Sequence, residues 1–311
     1  MLLPIATSAW MRTMSDNAQP HQGRLYANGL SFAIQEWGQV GQLPVLALHG
    51  WLDNSASFAR IAALLPDIHL VAVDMAGHGL SDHRPGVGLY NFWDDIQDIL
   101  ALADVLEWQE FVILGHSRGA IIGALAAVAF PERIKALALI EGLMPEPVKA
   151  ENAPEQLASA LKNLKELAQK QHTVYPDLET AIKARERGLF PLSYHASSLL
   201  TRRGVVPVEG GLSWTSDSRL LAPSAIRLTK EHVDAFLKKL TMPLCLVLAT
   251  RGLPQLYPNY LELLGHYSHI KYHLLEGGHH LHLEEQYAQV AGHVSGFLRD
   301  MMNNTHPYRQ E

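Results

Sequence analysis

At 311 residues the chain is long enough for one large domain with an insertion, or for two small domains. Hydrophobic residues make up 48% and charged residues 18%, a globular composition that excludes a disordered chain. The formal charge of −6 argues against a nucleic-acid partner, and the one cysteine, Cys245, excludes an intramolecular disulfide.

Residues 1–11 are apolar but lack the basic start and long hydrophobic centre of a secretory signal. Met14 begins a polar stretch and is an alternative start, so residues 1–23 read as an extension. No run of eighteen or more apolar residues occurs, so no membrane span is expected and the chain reads as cytoplasmic. Residues 25–29 and 32–37 read as a hairpin pair, with Asn28-Gly29 as turn residues. Short runs rich in Val, Leu and Ile follow at 44–49, 69–75, 111–115 and 134–140. Unbroken apolar strands of this kind require a sheet covered on both faces. Between them, residues 91–106 place Ile96, Ile99, Leu100, Ala103 and Leu106 at helical spacing, with Asn91 as a cap. Residues 118–130 form an Ala-rich helix stopped by Pro131. This alternation predicts an α/β fold, a mostly parallel sheet with right-handed crossovers and flanking helices.

After Gly142 the alternation breaks. Residues 143–228 show helical periodicity (Leu157, Leu161, Leu164, Ala168) and turns at Arg203-Gly204 and Glu209-Gly210-Gly211. Strands resume at 243–249, where Cys245 reads as a buried core thiol, and at 270–275. A last helix carries Val290, Val294, Phe297 and Leu298, and residues 301–311 form a tail. A helical insertion between two parts of one sheet is a lid. Residues 24–142 and 229–300 are therefore expected to form one core.

Gly115-His116-Ser117-Arg118-Gly119 fits G-x-S-x-G, and it sits where a strand ends and a helix begins. That turn holds a serine in strained dihedrals, with glycines on both sides so that the backbones can pass. Ser117 then projects from the carboxyl edge of the sheet, where open α/β sheets place ligands. A glycine-bordered turn without chemistry is the alternative. An oxyanion needs two donors, and the backbone N–H groups of Trp51 and Arg118 are the candidates. His49, Gly50 and His116 are expected to line the substrate pocket.

Serine needs an adjacent base. With seventeen histidines in the chain, position must decide, and His279 follows Gly277-Gly278 just past the last strand. His280 and His282 are close competitors; three neighbouring histidines also suggest a metal, but no Asp/Glu–His helix spacing supports one. Most chains of this fold carry an aspartate soon after the penultimate strand, and here Thr250-Arg251-Gly252 offers none. The alternative position, the end of the strand after the nucleophile, holds Glu141, in the order Ser117, Glu141, His279. A solvated strand-end glutamate is the plain reading of Glu141, and Asp217 is a rival acid.

The runs Leu48-His-Gly-Trp-Leu-Asp-Asn54, Asp74-Met-Ala-Gly77-His-Gly-Leu-Ser81 and Gly115-His-Ser-Arg-Gly119 resemble the serine hydrolase-like branch of the α/β-hydrolase superfamily. The resemblance extends through Phe130-Pro-Glu-Arg133, Arg203-Gly204, Asp217-Ser-Arg-Leu220 and Gly278-His279-His-Leu-His-Leu-Glu284. It implies an acid after the strand that follows the nucleophile, which is Glu141, and a structural turn at Asp74–Gly79 containing His78. Members also resemble haloalkane dehalogenases and epoxide hydrolases, which use an aspartate where this chain has Ser117. The expected activity is hydrolysis of a small to medium carboxylic ester or thioester, without cofactor or metal, by a monomer or homodimer. A cofactor-free hydrolase of carbon–carbon bonds, amides or lactones would use the same residues. A binding protein that has lost turnover is the third reading, favoured by the empty acid position and by the bulky Arg118.

Overall fold

A computed structural model of the chain describes residues 19–303, apart from Ala168 and Gln171. The readings of residues 1–18, of Ala168 and of the tail beyond 303 thus lie outside the described residues. Six strands precede the insertion: β1 His21–Ala27, β2 Leu30–Trp37, β3 Leu43–Leu48, β4 Ile68–Val73, β5 Phe111–His116 and β6 Ile134–Ile140. The insertion contains β7 Val174–Tyr175, β8 Val205–Val208 and β9 Gly211–Trp214; β10 Leu244–Arg251 and β11 Tyr272–Gly278 follow it. The main sheet has the order β1-β2-β4-β3-β5-β6-β10-β11. Pairing is antiparallel at β1/β2 and β2/β4 and parallel from β4 onward.

The unbroken apolar runs have a direct physical reason, because alternate residues of each strand enter different cores. Leu46, Leu48, Ile113, Leu137 and Leu139 pack with Ile99, Leu102 and Ile122 of the helices Phe92–Val105 and Arg118–Ala129. Val45, Ala47, Val112, Leu114 and Ile140 pack on the other face with Val290, Val294 and Leu298 of the helix Tyr287–Asn303. Each fully buried Leu, Ile or Val contributes about 1.5–3 kcal/mol, so a polar residue on either face of these strands would be costly. Cys245 belongs to the second core, and burial pushes its thiol up to about 12. Among the described residues no helix is long and apolar enough to cross a membrane.

Asn28-Gly29 form the hairpin turn as read, with φ of 48° at Asn28 and 77° at Gly29, so the first strand ends at Ala27. Other local expectations are corrected. Asn91 stands at the N-cap position but makes no capping bond; its amide donates to Asp94 at 2.9 Å. Arg203-Gly204 is not a turn but the end of the helix Tyr194–Gly204, where Gly204 lies against the Trp214 ring with no room for a side chain. The segment between β6 and β10 is not purely helical, since β7, β9 and β8 form a small antiparallel sheet. The last strand starts at Tyr272 rather than 270, because the Ile270 amide closes a turn on Tyr267.

Candidate active site

Parallel register brings the ends of β5, β6 and β10 side by side. The Ser117 N–H donates to the Ile140 carbonyl, and the Glu141 N–H donates to the Val247 carbonyl, each at 2.9 Å. Ser117 has φ 50° and ψ −113°, a conformation that costs about 1–3 kcal/mol and is held by its surroundings. Both flanking glycines are required. A Cβ on Gly115 would lie 2.6 Å from the Ala120 Cα, and one on Gly119 would overlap the Leu48 carbonyl oxygen.

His279, directly after β11, lies between the two other residues. Its Nε2 is 2.9 Å from Ser117 Oγ and its Nδ1 is 2.9 Å from Glu141 Oε2. Nδ1–H donates to the carboxylate, which leaves Nε2 free to accept from the serine hydroxyl. Glu141 is fully buried, and its oxygens also accept from the Ala249 N–H at 2.6 Å and the Leu253 N–H at 2.8 Å. The strand-end glutamate is thus not solvated. It fills the place next to β10 where sequence offers no acid, and Gly252 leaves the room, since a Cβ there would overlap Glu141 Oε2.

The rival residues have other partners. Asp217 accepts from the Tyr90 hydroxyl at 2.8 Å and pairs with Arg219 inside the insertion. His280 Nε2–H donates to Asp53 at 3.0 Å, and His282 Nε2 is 2.8 Å from Ser57 Oγ. His78 is buried and bonds the Ala76 carbonyl, within a turn whose Asp74 accepts from Ser55 and Leu80 amides and pairs with Arg203. Arg118, beside the serine, sends its guanidinium away to Asp95 at 2.5 Å, over the Phe92 ring. The backbone N–H groups of Trp51 and Arg118 have no acceptor among the described residues.

Two cavities adjoin this centre. The larger, of about 440 Å³, is lined by Ser117, His279, Leu143, Met144, Leu256 and Tyr260 among others. The smaller, of about 250 Å³, is lined by Trp51, Tyr175, Arg185, Trp214 and His280. Phe190 borders both and stacks on the His279 ring at 4.1 Å between centroids. His49 and His116 line neither cavity, which corrects their expected place in the pocket. Each is fully buried and committed elsewhere: His49 bonds the Gly50 carbonyl and accepts from the Met75 N–H, and His116 Nε2–H donates to the His279 carbonyl. Gly50 is buried between them, its Cα facing His116 Nδ1 and Asp53 Oδ2 too closely for any side chain.

Sequence reasoning missed Phe190, Asp53 and Arg185. Burial raises the Asp53 carboxyl pKa, but His280 and Arg185 outweigh it and hold the group well below the usual carboxylate range. Asp53 lies in the run of residues 48–54 beside the candidate oxyanion donor and was open to being read; nothing local marks Phe190 or Arg185.

A family model described as the alpha/beta hydrolase fold matches residues 44–174. Serine hydrolase-like protein 2 of Homo sapiens is 33% identical over 80% of this chain and 82% of its own. A hypothetical protein of Pseudomonas aeruginosa PAO1 has a solved structure with TM-score 0.86 and 42% identity, over 89% of this chain and 99% of that one. The thioesterase domain from the curacin biosynthetic pathway is similar at TM-score 0.78 and 26% identity, over 89% and 99%. These relationships agree with the fold of the main sheet. The chain belongs to the α/β-hydrolase family, in its serine hydrolase-like branch.

Proposed function

We propose that the protein is a serine hydrolase that cleaves a small to medium carboxylic ester or thioester through an acyl-enzyme. The observation that carries this reading is the hydrogen-bonded chain Ser117–His279–Glu141 at 2.9 Å per link. His279 Nε2 takes the Ser117 proton as Oγ attacks the carbonyl carbon, and Glu141 stabilises the imidazolium. The amides of Trp51 and Arg118 receive the negative charge that develops on the carbonyl oxygen. The imidazolium then protonates the leaving alcohol or thiol, and water repeats the sequence in reverse to free the acid.

The apolar lining of the larger cavity suits an aliphatic acyl group, and the likeness to a thioesterase domain supports acyl transfer to water. Tyr260 adds a polar feature, because its hydroxyl has no hydrogen-bond partner among the described residues. Burial, with the nearby Glu141, raises its pKa and keeps it a donor, so an acyl chain bearing an oxygen fits this cavity. The residues 143–228 act in this reading as a lid, with Phe190 as its contact to the reacting centre.

Labelling the purified chain with a fluorophosphonate tests the proposal. Modification mapped to Ser117 and lost in His279→Ala supports it, and p-nitrophenyl esters of rising chain length then size the cavity. A folded protein that takes no label at Ser117 refutes it.

A further inference from the structure

Three buried side chains that the proposed mechanism does not use converge beside the triad. Asp53 comes from the loop after β3, His116 from the end of β5, and His280 follows His279; their exposures are 3%, 0% and 5%. Asp53 Oδ2 lies 3.0 Å from His280 Nε2 and 3.7 Å from His116 Nδ1. One nitrogen or oxygen from each residue lies within 4.8 Å of the other two. His116 donates its Nε2 proton to the His279 carbonyl, so its Nδ1 carries a lone pair. That lone pair faces the carboxylate and has no hydrogen-bond partner among the described residues. Two acceptors opposed in a buried site are unfavourable, and a cation between them satisfies both.

We propose that Asp53, His116 and His280 form a binding site for one divalent transition-metal ion of the zinc class, directly behind His279. Imidazole nitrogens with a carboxylate oxygen are the donors such ions select. Bonds of about 2.0–2.2 Å place two ligands of a tetrahedral ion roughly 3.4 Å apart. The two separations from Asp53, 3.0 and 3.7 Å, bracket that value, and the three ligand atoms lie within 4.8 Å of one another, so a modest approach of the two imidazoles completes the site. Protons balance without release: His280 moves its proton from Nε2 to Nδ1, which has no other hydrogen-bond partner, while His116 Nδ1 and the Asp53 carboxylate are already free of protons. A water molecule supplies the fourth ligand. The smaller cavity is the entry path, because both His280 and Arg185 line it. Arg185, from the insertion, pairs with Asp53 Oδ1 at 2.9 Å, so the added positive charge weakens this tether between lid and core. The expected consequence is inhibition that a chelator reverses.

The test uses the full chain, stripped with EDTA, desalted and titrated with Co²⁺ at neutral pH. A four-coordinate visible absorption that saturates at one equivalent is expected. His280→Gln should weaken it beyond the roughly 10–100-fold typical of losing an outer-shell partner. His293→Gln is the control, because His273 and His293 stack at 4.0 Å and offer a second pair of imidazoles, away from the site, for adventitious binding. Absent absorption, absorption that survives His280→Gln, or absorption lost in His293→Gln overturns the proposal. Should His280→Gln not fold, imidazole ¹⁵N shifts on adding Zn²⁺ to the unaltered chain decide. Shifts at His116 and His280 support the site, and shifts confined to His273 and His293 overturn it. Both readouts are independent of ester turnover, so this inference and the proposed hydrolase activity fail separately.

Discussion

Replacing Glu141 with Gln keeps the shape of the side chain and removes its charge. The magnitude follows from the three donors around the carboxylate. Oε1 accepts from one N–H, that of Ala249, whereas Oε2 accepts from both Leu253 and His279. The amide NH₂ therefore settles in the Oε1 position, where it opposes a single donor and leaves the Ala249 N–H unsatisfied. An unmade buried bond costs about 1–3 kcal/mol of stability. His279 keeps an acceptor at Nδ1, but the imidazolium loses its counter-charge in a buried site. Amide replacement of the acid costs about 10⁴-fold in kcat in serine-protease triads, and roughly 10³–10⁴-fold is expected here, with KM nearly unchanged. The assay is p-nitrophenyl ester hydrolysis beside a urea unfolding curve, with Asp217→Asn as the comparison. A folded Glu141→Gln protein within tenfold of the unaltered rate, or an Asp217→Asn protein without activity, refutes the assignment.

Other perturbations probe neighbouring features. Gly252→Ala puts a Cβ onto Glu141 Oε2, so it should destabilise by about 1–3 kcal/mol and depress kcat as the carboxylate is pushed aside; unchanged kinetics would show that the loop yields instead. Phe190→Ala removes the wall between the two cavities and a ring contact of about 0.5–1.5 kcal/mol. A 2–12-fold lower kcat on p-nitrophenyl acetate, with gain on esters of bulkier alcohols, is expected, and an unaltered substrate ranking would contradict it. Burial, the largest cause in each case, holds His49, His78, His116, His280 and His282 below the usual histidine range. Unfolded, they protonate as pH falls through about 6.5, so unfolding takes up protons there and stability drops on the acid side. Each such histidine adds a slope of about 1.4 kcal/mol per pH unit below that point, while stability is full above it. Urea midpoints should stay level from pH 8 to 7 and fall steeply below 6.5; a level profile down to pH 5.5 would contradict the burial argument.

The sheet was legible because its physics is local to each strand. An apolar run covered on both faces looks the same in sequence wherever it pairs, and the runs at 44–49 and 134–140 differ from the observed strands by at most one residue at either end. Ser117 was legible for a related reason, since strand, turn and helix are contiguous and the glycines leave no alternative path. Glu141 needed a second step, the absence of an acid near Gly252, and the structure joins those positions through one carboxylate. Phe190 and Arg185 were not legible. They sit in the segment where helix period says which face is apolar but not which residue folds back to the core. The fate of His49 and His116 was misread for the opposite reason: each stands within two residues of a candidate site residue, yet its side chain is turned inward.

The match between Glu141 and Gly252 has a consequence for how such chains can change over time. Carrying the acid to the end of β10 needs a side chain at 252 and the removal of one at 141. Taken singly, the first step overlaps two groups of atoms and the second leaves His279 without a counter-charge. Under the proposed triad the two positions are therefore coupled, and a change at either one alone should cost more than the paired change. A profile that scores each column alone reads Gly252 as a deletion of function; one that scores the pair reads it as the compensating half of a relocation.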